Sequence, residues 1–320
     1  MKIFVTGTAG FIGMHLAHSL LEEGHSVIGL DNFNDYYPVK LKHDRHTRLT
    51  SYYNYKGIQG DLCDGALLAH LFKEHHFDVV CHLAAQAGVR YSLTHPLAYQ
   101  KSNLEGFLNI LETCRHAKIP RLVYASSSSV YGGNTKLPFS ESDPVDRPVS
   151  LYAATKKANE LMAHTYTHLY GLQTVGLRFF TVYGPWGRPD MAYWSFTEAM
   201  LAGKTIPVFN HGNMQRDFTY IDDIVAGVKA ALFSTSLAPY EVLNLGNHNA
   251  ENLMDMIETL ASALGVKPKM ELLPMQPGDV PATYADITQA TAKLGFRPTT
   301  SIAQGLPKFV AWYRKYHSIS

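Results

Sequence analysis

Tyr152 and Lys156 are the residues whose types and spacing speak most directly of chemistry. They lie four apart in the run Ser150-Leu151-Tyr152-Ala153-Ala154-Thr155-Lys156. On a helix that spacing puts both side chains on one face. An ammonium beside a phenol stabilises the phenolate and draws its pKa down from about 10 toward working pH. A tyrosine so tuned takes a proton from a sugar or alcohol hydroxyl. The pair alone arises often by chance in helices, so its meaning depends on what precedes it.

Two features precede it. The first is Val5-Thr6-Gly7-Thr8-Ala9-Gly10-Phe11-Ile12-Gly13, a G-x-x-G-x-x-G spacing directly after the first apolar run. Gly7 suits a tight turn, Gly10 lets backbone approach a pyrophosphate, and Gly13 lets the next helix pack on a sheet. Amides at that helix start, around Phe11 and Ile12, would face the phosphates. Asp31 closes the second apolar run. A carboxylate there accepts bonds from adenosine ribose hydroxyls and repels a 2′-phosphate, which favours NAD over NADP; a turn or N-cap aspartate is the plain alternative. Asn32 follows it. Asp61-Leu62, after the third run, either reaches the adenine edge or forms a turn. The second feature is Tyr124-Ala125-Ser126-Ser127-Ser128-Ser129-Val130-Tyr131-Gly132, which runs off the fifth strand. A hydroxyl there would orient a substrate hydroxyl against Tyr152, unless the four serines form a flexible loop.

These residues need a scaffold, and the chain supplies one. Short apolar runs at 3–6, 26–30, 55–59, 78–83, 121–125 and 174–179 alternate with helical patterns at 11–23, 65–75, 98–118 and 152–170. Continuous apolar strands between helices predict an α/β fold with a doubly wound parallel sheet of the Rossmann type. After Phe180 the texture turns aromatic and turn-rich. A strand at 241–245 is expected to return to the sheet. The expected division is 1–180 plus about 218–248 for the dinucleotide-binding domain, and about 181–217 plus 249–320 for a smaller mixed α/β substrate lobe.

Formal net charge is +1, so no global field favours nucleic acid or an anionic membrane. Cys63, Cys81 and Cys114 form no C-x-x-C pair, which points away from disulfides and structural zinc. A reducing cytoplasm is the expected location. Met1-Lys2-Ile3-Phe4-Val5 reads directly as a strand, with no expected signal peptide, and no apolar run suits a membrane span.

Three stretches carry a resemblance: Asp31-Asn32-Phe33-Asn34-Asp35-Tyr36-Tyr37, then 150–170, then Arg178-Phe179-Phe180-Thr181-Val182-Tyr183-Gly184-Pro185-Trp186-Gly187-Arg188-Pro189-Asp190-Met191. With the glycine turn and serine cluster, they make the chain resemble extended short-chain dehydrogenase/reductases over nearly its whole length. Among these it is most similar to the nucleotide-sugar epimerases that act on UDP-glucuronate. The resemblance implies tightly bound NAD, regenerated each turnover, and reversible C4 epimerisation of UDP-glucuronate to UDP-galacturonate through a 4-keto sugar. It implies Ser127 as the catalytic hydroxyl, Tyr152 as base and Lys156 as its partner. Thr181 would help hold the uronate carboxylate alongside Ser128 and Ser129. Arg188 and Arg216, the latter in Gln215-Arg216-Asp217-Phe218, fall where the family contacts the nucleotide diphosphate. Arg90 and Asp279, the latter in Gly278-Asp279-Val280, resemble further substrate contacts.

One contrast sharpens this. Related 4,6-dehydratases carry Thr-Asp-Glu, and related UDP-glucuronate decarboxylases Thr-Ser-Glu, where this chain has Ser127-Ser128-Ser129. Serines are too weak as acids for elimination, which favours oxidation and re-reduction at one carbon. A UDP-hexose (glucose/galactose) 4-epimerase and, in another class, a non-catalytic NAD-binding regulator are the alternatives. A homodimer is expected, because helices 98–118 and 152–170 carry apolar residues on more than one face and such helices form a four-helix interface in relatives.

Other motifs read more plainly. His164 and His168 have a zinc-like spacing but lack the accompanying Glu and a third ligand, so no metal is expected. The run 40–48 is rich in Lys and Arg, with Tyr52, Tyr53 and Tyr55 nearby; a solvated loop or helix near the cofactor is expected in place of a nucleic-acid patch. Met254, Met256, Ile257 and Leu260 form a core stripe.

Overall fold

A computed structural model describes residues 1–276 and 279–319. Its centre is a parallel seven-stranded sheet. The strands are β1 (Lys2–Thr6), β2 (Ser26–Asp31), β3 (Tyr55–Gln59), β4 (Val79–His82), β5 (Arg121–Ser127), β6 (Gln173–Phe179) and, beyond several short strands, β9 (Tyr240–Leu245). Their spatial order is β9-β6-β5-β4-β1-β2-β3. All six pairings are parallel. The order reverses between β1 and β4, and the carboxyl ends beside such a switch form a ligand crevice.

The inner strands are largely apolar because both faces are covered, while the edge strand β3 keeps Lys56 and Gln59 exposed. Ile3 and Val5 point to one core with Met14, Leu16 and Leu20 of α1 (Phe11–Glu22). Phe4, between them, points to the other core with Leu68 and Leu71 of α3 (Gly65–Glu74) and Phe107 and Ile110 of α4 (Gly106–His116). The period-two alternation of a strand thus feeds two cores. Between α1 and α3 lies α2 (Val39–Thr50). Next to β5 runs α5 (Leu151–Tyr170), which carries Tyr152 and Lys156.

After β6 the chain leaves the sheet. β7 (Thr181–Tyr183) follows at once and pairs in parallel with β8 (Phe218–Tyr220). Between them lies α6 (Ala192–Leu201). α7 (Ile221–Phe233) then leads back to β9. Beyond β9 come α8 (Leu253–Leu264) and α9 (Ile302–His317). Short strands join these pieces: Gln215–Arg216 lies between Glu251–Asn252 and Ala282–Thr283, and Thr205–Val208 pairs with Lys269–Leu272. This is the mixed α/β companion to the main sheet. Met256, Ile257 and Leu260 are fully buried core residues.

Two expectations need correction. The single helix expected at 98–118 is interrupted. Helical turns Tyr91–Thr94 and Pro96–Tyr99 lead into a π-helical segment, Gln100–Glu105, before α4 begins. The cause is Asn103. Its side chain bonds both backbone groups of Gln86 and Thr155 Oγ1, while its carbonyl accepts from Asn159 Nδ2 at 2.6 Å. These long-range bonds favour the wider turn over the α-helical ladder. The second correction concerns the run 40–48. It forms α2, but Lys42 and Arg45 are buried and not solvated. Among the described residues, no helix is long and apolar enough to cross a membrane.

Candidate active site

The carboxyl ends of the strands open into a cleft of about 800 Å³, and every residue singled out above for cofactor or substrate lines it. Its floor is the glycine turn. Gly7 has φ +78° and its amide donates to Leu30 O at 2.7 Å; a Cβ there would lie 2.8 Å from Ala84 N. A Cβ on Gly13 would lie 2.0 Å from Gly7 O, so only glycine lets α1 start this close to the turn. Gly10 caps α1, and Phe11 and Ile12 follow on its first turn. The free amides of that turn form an anion cradle.

Asp31 ends β2 beside this cradle. Its Oδ2 accepts from Ala9 N at 3.0 Å and its Oδ1 from Phe33 N at 2.9 Å. The carboxylate therefore shapes the turn as well as lining the cleft. Asn32 Nδ2 donates to Asp61 Oδ2 at 3.1 Å, and Asp61 Oδ1 accepts from Cys63 N at 2.9 Å. Asp61 thus makes its own turn while it and Leu62 line the cleft.

The serine cluster is ordered. β5 ends at Ser127, whose Oγ accepts from Ser129 N at 3.2 Å and starts the 3₁₀ turn Ser128–Tyr131. Tyr131, 1% exposed, anchors that turn by donating to Asn244 Oδ1 at 2.7 Å. Ser126 points the other way and donates to Glu160 Oε1 at 2.7 Å. Glu160 in turn accepts two bonds from Arg178, each 2.8 Å.

Ser150 caps α5, its Oγ accepting from Ala153 N at 3.1 Å, and so sets where Tyr152 enters the cleft. The Ser127 hydroxyl favours the charged form of the Tyr152 phenol. Lys156 Nζ donates to Ala125 O at 2.9 Å. Burial pushes the phenol above its ordinary range, against weaker opposing pulls from Ser127 and Arg188. Burial pushes Lys156 down to about 8. The expectation of a phenol drawn down by Lys156 therefore does not hold in this structure. Desolvation of the ring outweighs the charge, and the ammonium is engaged at Ala125.

Thr181, Arg188, Arg216, Arg90 and Asp279 also line the cleft. Thr181 opens β7, its amide donating to Asp217 O at 3.0 Å. Arg188 is held in a fork by Asp190, with Nε to Oδ1 at 3.0 Å, and Tyr36 donates to the same carboxylate at 3.0 Å. Arg90 pairs with Asp279 at 3.4 Å and lies over the Phe209 ring. Arg216 Nη1 donates to Gln215 O at 2.8 Å and Pro281 O at 3.2 Å. Gly278 lies outside the described residues. Tyr36, Asp190 and Phe209 are cleft residues not foreseen as site residues. Tyr36 and Asp190 sit inside two of the three stretches that carried the resemblance, which was the available signal. Phe209 had none.

Residues 3–246 match the family model described as the NAD dependent epimerase/dehydratase family. The chain belongs to this family. It is 52% identical over 337 residues to UDP-glucuronate 4-epimerase 4 of Arabidopsis thaliana, a match covering 99% of this chain and 76% of that protein. It is 50% identical to Protein CapI of Staphylococcus aureus, covering 99% of each. Among solved structures, the UDP-glucuronic acid 4-epimerase from Bacillus cereus, in complex with UDP-glucuronic acid and NAD, superposes with a TM-score of 0.94 at 36% identity, over 99% of this chain and 100% of that one. The UDP-glucose 4-epimerase from Thermotoga maritima, with UDP-glucose, does so with a TM-score of 0.89 at 30% identity, over 99% and 100%.

Proposed function

We propose that this protein is an NAD-dependent UDP-glucuronate 4-epimerase, interconverting UDP-glucuronate and UDP-galacturonate. The observation that carries the reading is the composition of the cleft lining. The cleft that holds Tyr152, Ser127 and Lys156 is also lined by three neutral hydroxyl residues, Ser128, Ser129 and Thr181. That set suits oxidation and re-reduction of a carbon whose carbonyl form is β to a carboxylate that must be held and not expelled.

The cradle fits a dinucleotide. With no side chain at Gly7 or Gly13, the turn closes against the Leu83–Ala84 backbone and the helix start closes on the turn, leaving amides free to face a pyrophosphate. Gly10, Phe11, Ile12 and Gly13 would hold the pyrophosphate, Asp31 and Asn32 the adenosine ribose, and Asp61 and Leu62 the adenine edge. Tyr152 and Lys156 would meet the nicotinamide ribose. NAD, when bound, supplies the site with an acceptor for the C4 hydride and a donor that returns it.

The chain's own residues handle the proton and the pose. Tyr152 takes the proton of the sugar 4-hydroxyl and later gives it back to the new 4-oxygen. The Lys156 ammonium favours the phenolate as that charge develops. Ser127 orients the 4-oxygen. Arg188 and Arg216 hold the nucleotide diphosphate while the sugar turns, and Arg90 and Asp279 make further substrate contacts. Once C4 is a carbonyl, the sugar is a β-keto acid, prone to lose CO₂ when the C5–C6 bond aligns with the carbonyl π system. Ser128, Ser129 and Thr181 would fix the carboxylate away from that alignment.

We further propose two lobes, 1–180 with about 218–248 and about 181–217 with 249–320, a cytoplasmic location and a homodimer. Leu97 (77%), Leu161 (57%) and Leu169 (59%) are exposed apolar side chains on and before the paired helices α4 and α5, which supports the dimer. A stable monomer in light scattering at micromolar concentration would exclude it. The functional test is parallel incubation with UDP-glucuronate and UDP-glucose. Conversion of the uronate supports the reading. Conversion of the hexose alone assigns a hexose epimerase. Turnover of neither, with NAD bound, assigns a regulator.

A further inference from the structure

The basic run 40–48 is α2, and its Arg45 is 0% exposed. Arg45 Nη1 donates to Ala9 O at 3.1 Å and to the Tyr37 hydroxyl at 2.7 Å. Its Nε and Nη2 donate to Trp186 O at 3.1 and 2.7 Å, and Nη2 also to Gly187 O at 2.7 Å. All four acceptor groups are neutral. A guanidinium kept dry by neutral oxygens is costly, and an apolar chain of similar length would fill the same space. Packing alone therefore does not account for it.

Its partners do. Ala9 belongs to the glycine turn, and it is pinned on both sides, its N–H by Asp31 at 3.0 Å and its C=O by Arg45. Trp186 and Gly187 immediately precede Arg188, which lines the cleft. The same loop is tied once more to the turn's helix, where His15 Nε2 meets Pro185 O at 2.9 Å, and Arg48 lies 5.2 Å over the Trp186 ring. Three consecutive carbonyls, 185–187, are thus fastened to the phosphate cradle and α2.

We propose that Arg45 is a positioning residue that couples the two halves of the cleft: the anion-receptive shape of the glycine turn and the placement of Arg188 are set together through one buried guanidinium. Dinucleotide binding and nucleotide-diphosphate binding then reinforce each other. This rests on the reading above that the cleft takes NAD and a UDP-sugar.

The test measures coupling. NAD is titrated into NAD-stripped protein, and UDP into stripped and NAD-loaded protein, for wild type, Arg45→Lys, Arg45→Met and Tyr37→Phe. Melting and circular dichroism report the fold. Wild type should bind UDP about fivefold or more tightly when loaded, and by reciprocity NAD more tightly with UDP present. Arg45→Lys keeps the charge but cannot bridge four acceptors. It should weaken NAD about tenfold and bring the UDP ratio close to one. Arg45→Met should do so more strongly. Tyr37→Phe, which deletes one neutral bond, should shift the ratio the same way by less. If Arg45→Met does not fold, Arg45→Lys and Tyr37→Phe decide. A merely structural Arg45 would lower the melting temperature and leave the ratio at its wild-type value, which would overturn the inference. Wild type binding both ligands without coupling would overturn it too. Wild type binding neither would instead sink the functional reading.

Discussion

Lys156 donates to the carbonyl of Ala125 at 2.9 Å, two residues before Ser127 on the same strand end. Lys156 and Ser127, the proposed partner of the base and the proposed catalytic hydroxyl, are therefore fastened to one point of β5. Moving α5 against that strand would disturb both at once.

Tyr152→Phe should retain NAD and the fold while losing about 10²–10⁴-fold in turnover, since only the proton acceptor is removed. Steady-state rates and the NAD content of the purified variant check this. Near-wild-type turnover would remove Tyr152 from the mechanism.

Lys156 gives a pH dependence with a definite sign. Burial lowers it from 10.5 to about 8 in the folded chain. Between those values the unfolded chain binds more protons, so stability should rise with pH, by up to about 1.4 kcal/mol per pH unit. Lys42 titrates in the same window, so the observable is the difference between wild type and Lys156→Met in NAD-free protein. The variant should be favoured at pH 7, and its advantage should shrink toward pH 10.5. Equal slopes in denaturant titrations at several pH values would contradict this.

Glu160 and Arg178 are 1% and 3% exposed and joined by two bonds. Glu160→Gln leaves a buried guanidinium without its counter-charge and should cost about 3–5 kcal/mol of unfolding free energy. Adding Arg178→Met should recover part of it. A single-variant loss below about 1 kcal/mol in urea unfolding would show that the pair is well compensated by Tyr131 and Ser126.

Thr181→Ala should raise the share of turnovers ending in UDP-pentose and CO₂. Losing one donor to the carboxylate costs about 0.5–1.5 kcal/mol of restraint, or up to about 3 if the bond is charge-assisted. Product analysis by NMR separates the outcomes. A slower enzyme with no extra pentose would make Thr181 a binding residue only and move the restraint to Ser128 and Ser129.

Much of this site was legible in the sequence because its chemistry is local. The glycine spacing, Asp31 at a strand end and the four-residue step from Tyr152 to Lys156 are short-range patterns. They turn into geometry as soon as a strand and a helix form. What escaped depends on distant partners. Arg45 looked like a solvated cation because its neutral acceptors lie 141 and 142 residues away, at Trp186 and Gly187. The π segment of 100–105 depends on Asn103 meeting Gln86, Thr155 and Asn159, none of them within its own turn. The direction of the Tyr152 shift was misread because pair spacing reveals a neighbouring charge but not how dry the ring is.

The most direct test of the central claim uses UDP-glucuronate deuterated at C4, with the NAD-loaded protein and no added nucleotide. The account predicts UDP-galacturonate that keeps its deuterium at C4, because the hydride taken from that carbon returns to its other face. Product carrying solvent hydrogen at C4, or no epimer at all, would contradict it.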